Sequence, residues 1–302
     1  NVSKYFKYFK CLLLLIKEVL YKNDSLVFSF QANIYCLILS KIFNFKIIIR
    51  SNSSPSGWSK NYLKNLIFKI FFKFSDSIIV NSKQFKNELD YKMDVKSKVI
   101  YNPLNKSEII SKSKEIIKSI FLKKNKKIKI LNIGRYTDQK DQITLLKALN
   151  LIKNKIHFEA IFIGYGVNKK LLENFIKNNK LKKQIKILDY QYNPYKFIKN
   201  ADVLILCSIY EGLPNVILEA LTLKRFVISS DCPTGPKEIL ESGKFGYLFK
   251  PRDFEKLSKL IMKYAKNKKK CKLKALAGYK SLDRFDYQIN CNKYLNEIKN
   301  IK

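Results

Sequence analysis

Two carboxylates, Glu211 and Glu219, bracket the segment Glu211-Gly-Leu-Pro-Asn-Val-Ile-Leu-Glu219. Pro214 suits the first turn of a helix, so the amides of Asn215 and Val216 are expected to point outward, and a helix start of this kind favours a bound phosphate. Glu211 then falls in the loop before the helix and Glu219 about one and a half turns inside it. The same spacing also fits a capped helix carrying one incidental acid. A second group is Gly134-Arg-Tyr-Thr-Asp-Gln-Lys140. A glycine at a strand tip lets a ligand approach the backbone, and Arg135 and Lys140 bring two positive charges to one mouth. Two cations facing a diphosphate can stabilise it as a leaving group, as a metal ion does elsewhere. Lysine is abundant in this chain, so Lys140 taken alone is equally a solvated surface residue.

These residues need a sheet to hold them. From Lys126 onward, β-branched runs alternate with helical patterns, as in βαβ units of a parallel sheet. The runs are Ile128–Ile133, Phe158–Ile163, Ile185–Leu188, Val203–Cys207, Phe226–Ser229 and Tyr247–Phe249. Helices are expected near Gln142–Leu151, Lys169–Asn178, Pro194–Lys199, Asn215–Leu223 and Pro236–Glu241. Ligands of such doubly wound sheets sit at the C-terminal ends of the strands, where both groups above fall. Upstream, Leu26–Phe30, Lys46–Ile49, Ser77–Val80 and Lys98–Ile100 read as strands. Helices over Ser3–Tyr21, Asn33–Phe43, Asn61–Phe74 and Lys83–Leu89 separate or precede them. The expected organisation is a partial α/β domain over residues 1–104, an α/β domain over 105–285 and a closing helix over 286–302 that packs back on the first. Asn105–Lys127, rich in Lys and Ser, reads as the connection, and Lys268–Lys274 as a solvated face.

Composition removes several function classes. The 302 residues hold 60 Lys and Arg and a net charge of +36, which invites nucleic acid as a partner. The arginines are only Arg50, Arg135, Arg225, Arg252 and Arg284, so the charge is almost wholly lysine, the poorer bidentate reader. Nucleic-acid binding is therefore disfavoured, whereas an anionic membrane surface needs only point charges. The six cysteines are scattered without a Cys-x-x-Cys spacing and read as reduced, mostly buried thiols of a cytosolic protein. His157 is the sole histidine, too little for a metal site or a His-based triad, and a strand-edge structural role is expected. No metal and no cofactor is expected. The apolar run Cys11–Ile16 is far short of the roughly 20 residues that span a bilayer. The helix at Tyr62–Phe74 is apolar nearly all round, which means burial or docking on another surface. Its lysines, Lys60, Lys64, Lys69 and Lys73, form no single basic face, which favours packing within the chain.

The stretches Asn132–Lys140, Ile163-Gly-Tyr-Gly166, Ala201–Ser208, Glu211–Glu219 and Ser230–Ile239 together resemble the family 4 glycosyltransferases of GT-B fold. Within that family the chain looks most similar to bacterial enzymes that add N-acetylgalactosamine or a related hexose to lipid-linked or surface glycans. The resemblance implies two Rossmann-like doubly wound α/β domains facing a cleft. It also implies a retaining, metal-independent transfer from a UDP- or GDP-sugar to a glycan or lipid-linked acceptor. Arg135 and Lys140 match the family's diphosphate-binding pair, Glu219 its ribose-hydroxyl ligand and Glu211 the acid at the donor sugar. Gly134 belongs to the same mouth. Gly212, Leu213, Pro214, Asn215 and Val216 match the segment whose backbone meets sugar and phosphates. Tyr190-Gln-Tyr192 matches the loop by the base, and Asp231, Thr234 and Gly235 match residues beside the cleft.

Two departures qualify the likeness. The family's opening strand and glycine-rich loop have no counterpart, so an N-terminally truncated chain with an incomplete first domain, competent to bind donor but not to transfer, is expected. Many members place a histidine where this chain has Arg50-Ser-Asn52, leaving the roles of Arg50 and Asn52 open. Other readings remain: a nucleotide-sugar epimerase of the same fold, a basic surface-binding protein, or an inactive fragment that still holds nucleotide.

Overall fold

The computed structural model describes residues 4–22, 24–52, 62–117 and 127–301. Ser3, Asn61 and most of the Lys-rich end of the expected connection lie outside them. The first elements are α1 (Lys4–Tyr21), β1 (Leu26–Ser29), α2 (Asn33–Ile42), β2 (Lys46–Ser51), α3 (Tyr62–Phe72), β3 (Ser77–Val80), α4 (Lys83–Met93) and β4 (Lys98–Val99). They are followed by α5 (Lys106–Lys112), β5 (Ile128–Ile133), α6 (Gln142–Ile152), β6 (Phe158–Ile163), α7 (Lys169–Asn178), β7 (Ile185–Leu188), α8 (Tyr195–Asn200) and β8 (Val203–Leu206). The last are α9 (Asn215–Thr222), β9 (Phe226–Ser230), α10 (Pro236–Ile239), β10 (Tyr247–Phe249), α11 (Phe254–Lys266), α12 (Lys268–Lys280) and α13 (Tyr287–Ile301).

Two compact units result, Asn1–Asn102 with Gln288–Lys302, and Pro103–Tyr287. In the first, four parallel strands run in the order β1-β2-β3-β4. Successive residues of a strand face opposite ways, and β2 uses both faces. Ile47 and Ile49 pack with Leu37, Phe72, Phe85 and Leu89 from α2, α3 and α4. Ile48 packs on the other side with Ile79, Ile100, Tyr294 and Ile298, the last two from α13. A buried carboxylate fixes α13 there: Glu297 accepts from Ser77 Oγ at 2.6 Å and from Lys98 Nζ at 2.7 and 2.8 Å. The apolar periphery of α3 resolves into two stripes. Phe68, Phe71 and Phe72 turn toward the core, while Leu63, Leu66, Ile67 and Ile70 are exposed.

The second unit has six parallel strands in the order β10-β9-β8-β5-β6-β7. Chain order reverses beside β5, which pairs with both β6 and β8. The loops leaving β5 and β8 therefore emerge side by side at a topological switch point. Three expectations are corrected here. The connection after Asn105 is not structureless, because Asn105 caps a helix by accepting from the Glu108 amide at 3.0 Å, and α5 packs on α8 and α9. The lysine run at 268 is not merely a solvated face, since it begins α12, which buries Cys271, Ala275 and Gly278 at helical spacing. Pro214 is the N-cap of α9, and Asn215 its first helical residue. His157 is exposed and its carbonyl accepts from the Ile128 amide at 3.0 Å, a strand-edge role.

Candidate functional site

Residues 134–140 leave the tip of β5 and are pinned on two sides. On one side the Tyr136 amide donates to Tyr165 O at 2.7 Å, and the Asn168 amide to Tyr136 O at 3.1 Å. Tyr136 itself is fully buried, with its hydroxyl on Leu188 O at 2.7 Å. The two glycines after β6 make this approach possible. A Cβ on Gly164 would lie 2.0 Å from Gly134 O, and one on Gly166, where φ is +148°, 2.3 Å from Tyr136 O. On the other side the Ile209 amide donates to Gln139 O at 2.8 Å, and Gln139 Nε2 to Tyr210 O at 3.1 Å. The β5 and β8 loops are thus joined by backbone before any side chain is considered.

Across that junction Lys140 Nζ meets Glu211 Oε1 at 2.5 Å, with both side chains largely buried. The same carboxylate oxygen accepts from Ser208 Oγ at 2.5 Å, and the Ser208 carbonyl is in turn held by Ser230 Oγ at 2.6 Å. Behind Glu211 lies the loop after β9. The Glu211 amide donates to Pro233 O at 2.8 Å, and Thr234 Oγ1 reaches the carbonyls of Glu211 and Gly212 at 3.0 and 3.1 Å. Gly235 makes the fit close, since a Cβ there would lie 2.2 Å from Gly212 O. Four strand ends therefore immobilise one buried acid–base pair. A charge pair held this way is preorganised, so little reorganisation is needed when charge develops beside it.

Beside the pair opens a cavity of about 420 Å³, lined by Gly134, Arg135, Gly164, Tyr165, Tyr190 and Tyr195 among others. Arg135 is exposed at its edge, and Tyr165 and Tyr190 meet edge to face with ring centroids 6.1 Å apart. Glu219 reaches toward this region from the second turn of α9. Half-buried, it has its pKa pushed up to about 7 by desolvation of the carboxyl. Its charge is also felt by Tyr195, whose phenol is raised first by burial and then by Glu219. Among the described residues no cluster of His, Cys, Asp and Glu could hold a metal ion.

The structure brings Gly134, Arg135 and Tyr190 to one cavity and Lys140 to Glu211. Gly212, Leu213 and Pro214 are buried in the loop behind the pair, and Asn215 and Val216 open α9. Sequence reasoning missed Ser208, Tyr165 and Tyr195. The pairing of Lys140 with Glu211 was likewise not indicated by the sequence. Ser208 carried a readable signal, standing at i−3 from the acid directly after a strand. Arg50 belongs to the first unit. Its guanidinium stands 5.6 and 5.7 Å from the ring centroids of Phe30 and Tyr294 and donates to Asn102 Oδ1 at 2.5 Å.

A parallel sheet whose strand order reverses at a switch point defines a Rossmann-like unit. Residues 113–280 match the family described as glycosyl transferases group 1, and the chain belongs to that family. An uncharacterized glycosyltransferase of Methanocaldococcus jannaschii is 33% identical over 248 residues, covering 71% of this chain and 59% of the relative. The chain thus spans less than two thirds of that relative's length. The Campylobacter jejuni N-acetylgalactosamine-N,N'-diacetylbacillosaminyl-diphospho-undecaprenol 4-alpha-N-acetylgalactosaminyltransferase is 26% identical over 287 residues, 90% of this chain and 76% of that one. Among solved structures, Anabaena Alr3699/HepE in complex with UDP-glucose superposes with a TM-score of 0.79 at 18% identity, covering 91% of this chain and 78% of that chain. The glycosyltransferase from Rickettsia africae gives 0.78 at 18% identity, covering 100% and 83%. The fold is GT-B, with two Rossmann-like α/β units.

Proposed function

We propose that the chain is a family 4, retaining hexosyl- or N-acetylhexosaminyltransferase. In this reading it uses a UDP- or GDP-sugar, needs no metal ion, and acts in the cytoplasm on a glycan or lipid-linked acceptor. The observation that carries the reading is the Lys140–Glu211 pair set beside the Arg135 cavity at the switch point. The donor's diphosphate lies against Arg135 and Lys140, its ribose on Glu219 and its base among Tyr165, Tyr190 and Tyr195. Glu211 orients the sugar and supports the charge that develops at its anomeric carbon, without forming a covalent bond. In the reaction the bond between that carbon and the diphosphate oxygen breaks. A bond to the acceptor oxygen forms on the same face, and the acceptor's proton passes to the departing diphosphate. The named activity of the Campylobacter relative, on a diphospho-undecaprenol-linked sugar, supports a lipid-linked acceptor.

The site also suggests an order of events. Lys140 is paired with Glu211, so an arriving diphosphate competes with Glu211 for its ammonium and leaves Glu211 free to accept from the sugar. The test is a panel of UDP- and GDP-sugars scored by thermal stabilisation with and without EDTA, followed by analysis of the anomeric configuration of the product. Stabilisation by one donor class, unchanged by EDTA, is expected. Strict dependence on Mg2+ or Mn2+, or release of an epimerised sugar without acceptor, would replace this reading.

A further inference from the structure

Two donors of unlike freedom hold the carboxylate of Glu211, and both reach the same oxygen. Lys140 Nζ and Ser208 Oγ each meet Oε1 at 2.5 Å. Among the described residues none donates to Oε2, and that oxygen keeps some access to solvent although the residue as a whole is buried. Lys140 carries an ammonium with three donors on a flexible four-carbon stem. Ser208 has none of that freedom. It is fully buried, and the turn that it begins is fixed at every residue. The Ser208 carbonyl accepts from Ser230 Oγ at 2.6 Å, and the Ile209 amide donates to Gln139 O at 2.8 Å. The Tyr210 carbonyl accepts from Gln139 Nε2 at 3.1 Å, and the Glu211 amide donates to Pro233 O at 2.8 Å. The loops around them therefore set the separation of Ser208 from Glu211.

A diphosphate that draws Lys140 away removes one of these two donors from a buried carboxylate. A buried charge left without partners is unfavourable, and that penalty would oppose donor binding. The hydroxyl of Ser208 offsets it, because its hydrogen bond to Oε1 does not depend on Lys140 and is itself charge-assisted. The same bond fixes how the carboxylate is turned, with Oε1 anchored and Oε2 left to accept from a sugar hydroxyl. We propose that Ser208 is a positioning residue for Glu211, holding Oε1 while Lys140 turns to the diphosphate and so presenting Oε2 to the donor sugar. This role rests on the transferase reading above and adds a division of labour to it. A mobile cation binds the leaving group, and a fixed hydroxyl keeps the acid in place. A serine that only satisfies its own hydroxyl in the core would contribute to stability and to nothing else.

The test is a double-mutant cycle of wild type, Ser208→Ala, Glu211→Ala and the double variant, each measured for UDP affinity by calorimetry and for melting midpoint. GDP takes the place of UDP if UDP does not bind. Ser208→Ala is expected to weaken nucleotide binding about tenfold, the size of one lost hydrogen bond to a charged group. In the Glu211→Ala background the same substitution is expected to leave affinity unchanged, because the carboxylate it serves is gone. Turnover of the donor selected by the nucleotide-sugar panel should follow the same pattern. It should fall about tenfold in Ser208→Ala and be equal in Glu211→Ala and the double variant. Equal affinity and turnover in wild type and Ser208→Ala would overturn the role of Ser208 and leave the transferase reading standing. So would losses of the same size in both backgrounds, which would mark Ser208 as packing alone. If wild type binds neither UDP nor GDP, the donor reading itself fails, and the role of Ser208 fails with it.

Discussion

In the second unit α7 turns Lys170, Glu173, Asn174 and Lys177 to solvent along with a single apolar residue, Leu171, and spends Leu172 and Ile176 on the core. In the first, α3 occupies the equivalent position over a parallel sheet and turns Leu63, Ile67 and Ile70 outward. The strand ends differ as well. Those of the second unit are stitched by backbone hydrogen bonds and close glycine contacts into a rigid frame around Lys140 and Glu211. Those of the first hold Arg50 between two aromatic rings. One βα architecture therefore serves two ends. Rigid loops suit a site that must hold charges in fixed places, whereas an outward apolar face needs only a stable helix layer behind it.

The sharpest way to break this contrast is to remove the buried acid. Glu211→Ala should lower turnover by roughly 10²–10³, the loss typical of one preorganised electrostatic group. Binding of free UDP should be spared or slightly tightened, because Lys140 is released from its partner. Single-turnover kinetics beside calorimetry separates the two effects. A variant with normal turnover and weakened UDP binding would reverse the roles assigned to Glu211 and Glu219.

Next in size is the frame itself. Gly164→Ala places a methyl group 2.0 Å from Gly134 O, where only backbone can yield. It should cost about 3 kcal/mol, the upper range for overpacking. Gly243 is the companion measurement, since its φ is +93° but nothing lies within 4 Å of an added Cβ. Gly243→Ala should cost only the conformational strain, about 1 kcal/mol. Urea titrations of the two variants distinguish steric locking from backbone preference. Equal costs would mean that the loops are not locked together as described.

Much of this was legible beforehand, and for identifiable reasons. The strands of the second unit are β-branched runs too short for helices, and β5 through β10 fall within a residue of their expected ends. Both motifs lie at strand tips as their spacing required. What could not be read was which groups touch. Lys140 and Glu211 are 71 positions apart, and only the reversal of strand order beside β5 brings their loops together. Nor could periodicity assign the two faces of α3, because a stripe that is apolar on both sides carries no information about which side the sheet takes. The lysines at 268 hid the buried Cys271 and Ala275 for the converse reason, a polar run masking a narrow apolar stripe.

A smaller effect tests the edge of the cavity. Arg135 is exposed, so its contact with a diphosphate is partly screened. Arg135→Ala should weaken UDP binding by about 1.5–3 kcal/mol, the range for a hydrogen bond to a charged group, toward the lower end. Isothermal titration at two salt concentrations checks both the size and the screening. A variant that binds UDP as wild type does would place the diphosphate elsewhere.

The smallest effect is the most diagnostic for Glu219, whose pKa of about 7 lies well above its ordinary value of 4.5 because burial disfavours the charged form. In the free protein this group favours the folded state fully below its ordinary value, and that contribution is lost as pH rises through about 7. Donor binding must run the other way if ribose hydroxyls donate to the ionised carboxylate. Bound ligand then stabilises the charged form and lowers its pKa, so affinity rises as pH rises. Between pH 6 and pH 8 the ionised fraction of such a group climbs about tenfold, worth about 1.4 kcal/mol of binding. Affinity for the donor found by the nucleotide-sugar panel should therefore increase by up to that factor in wild type. In Glu219→Gln, which keeps the shape but cannot ionise, the curve should be flat. A wild-type curve that is equally flat would mean that binding leaves the Glu219 pKa unchanged, and an affinity that falls as pH rises would mean that the protonated carboxyl donates to the ribose.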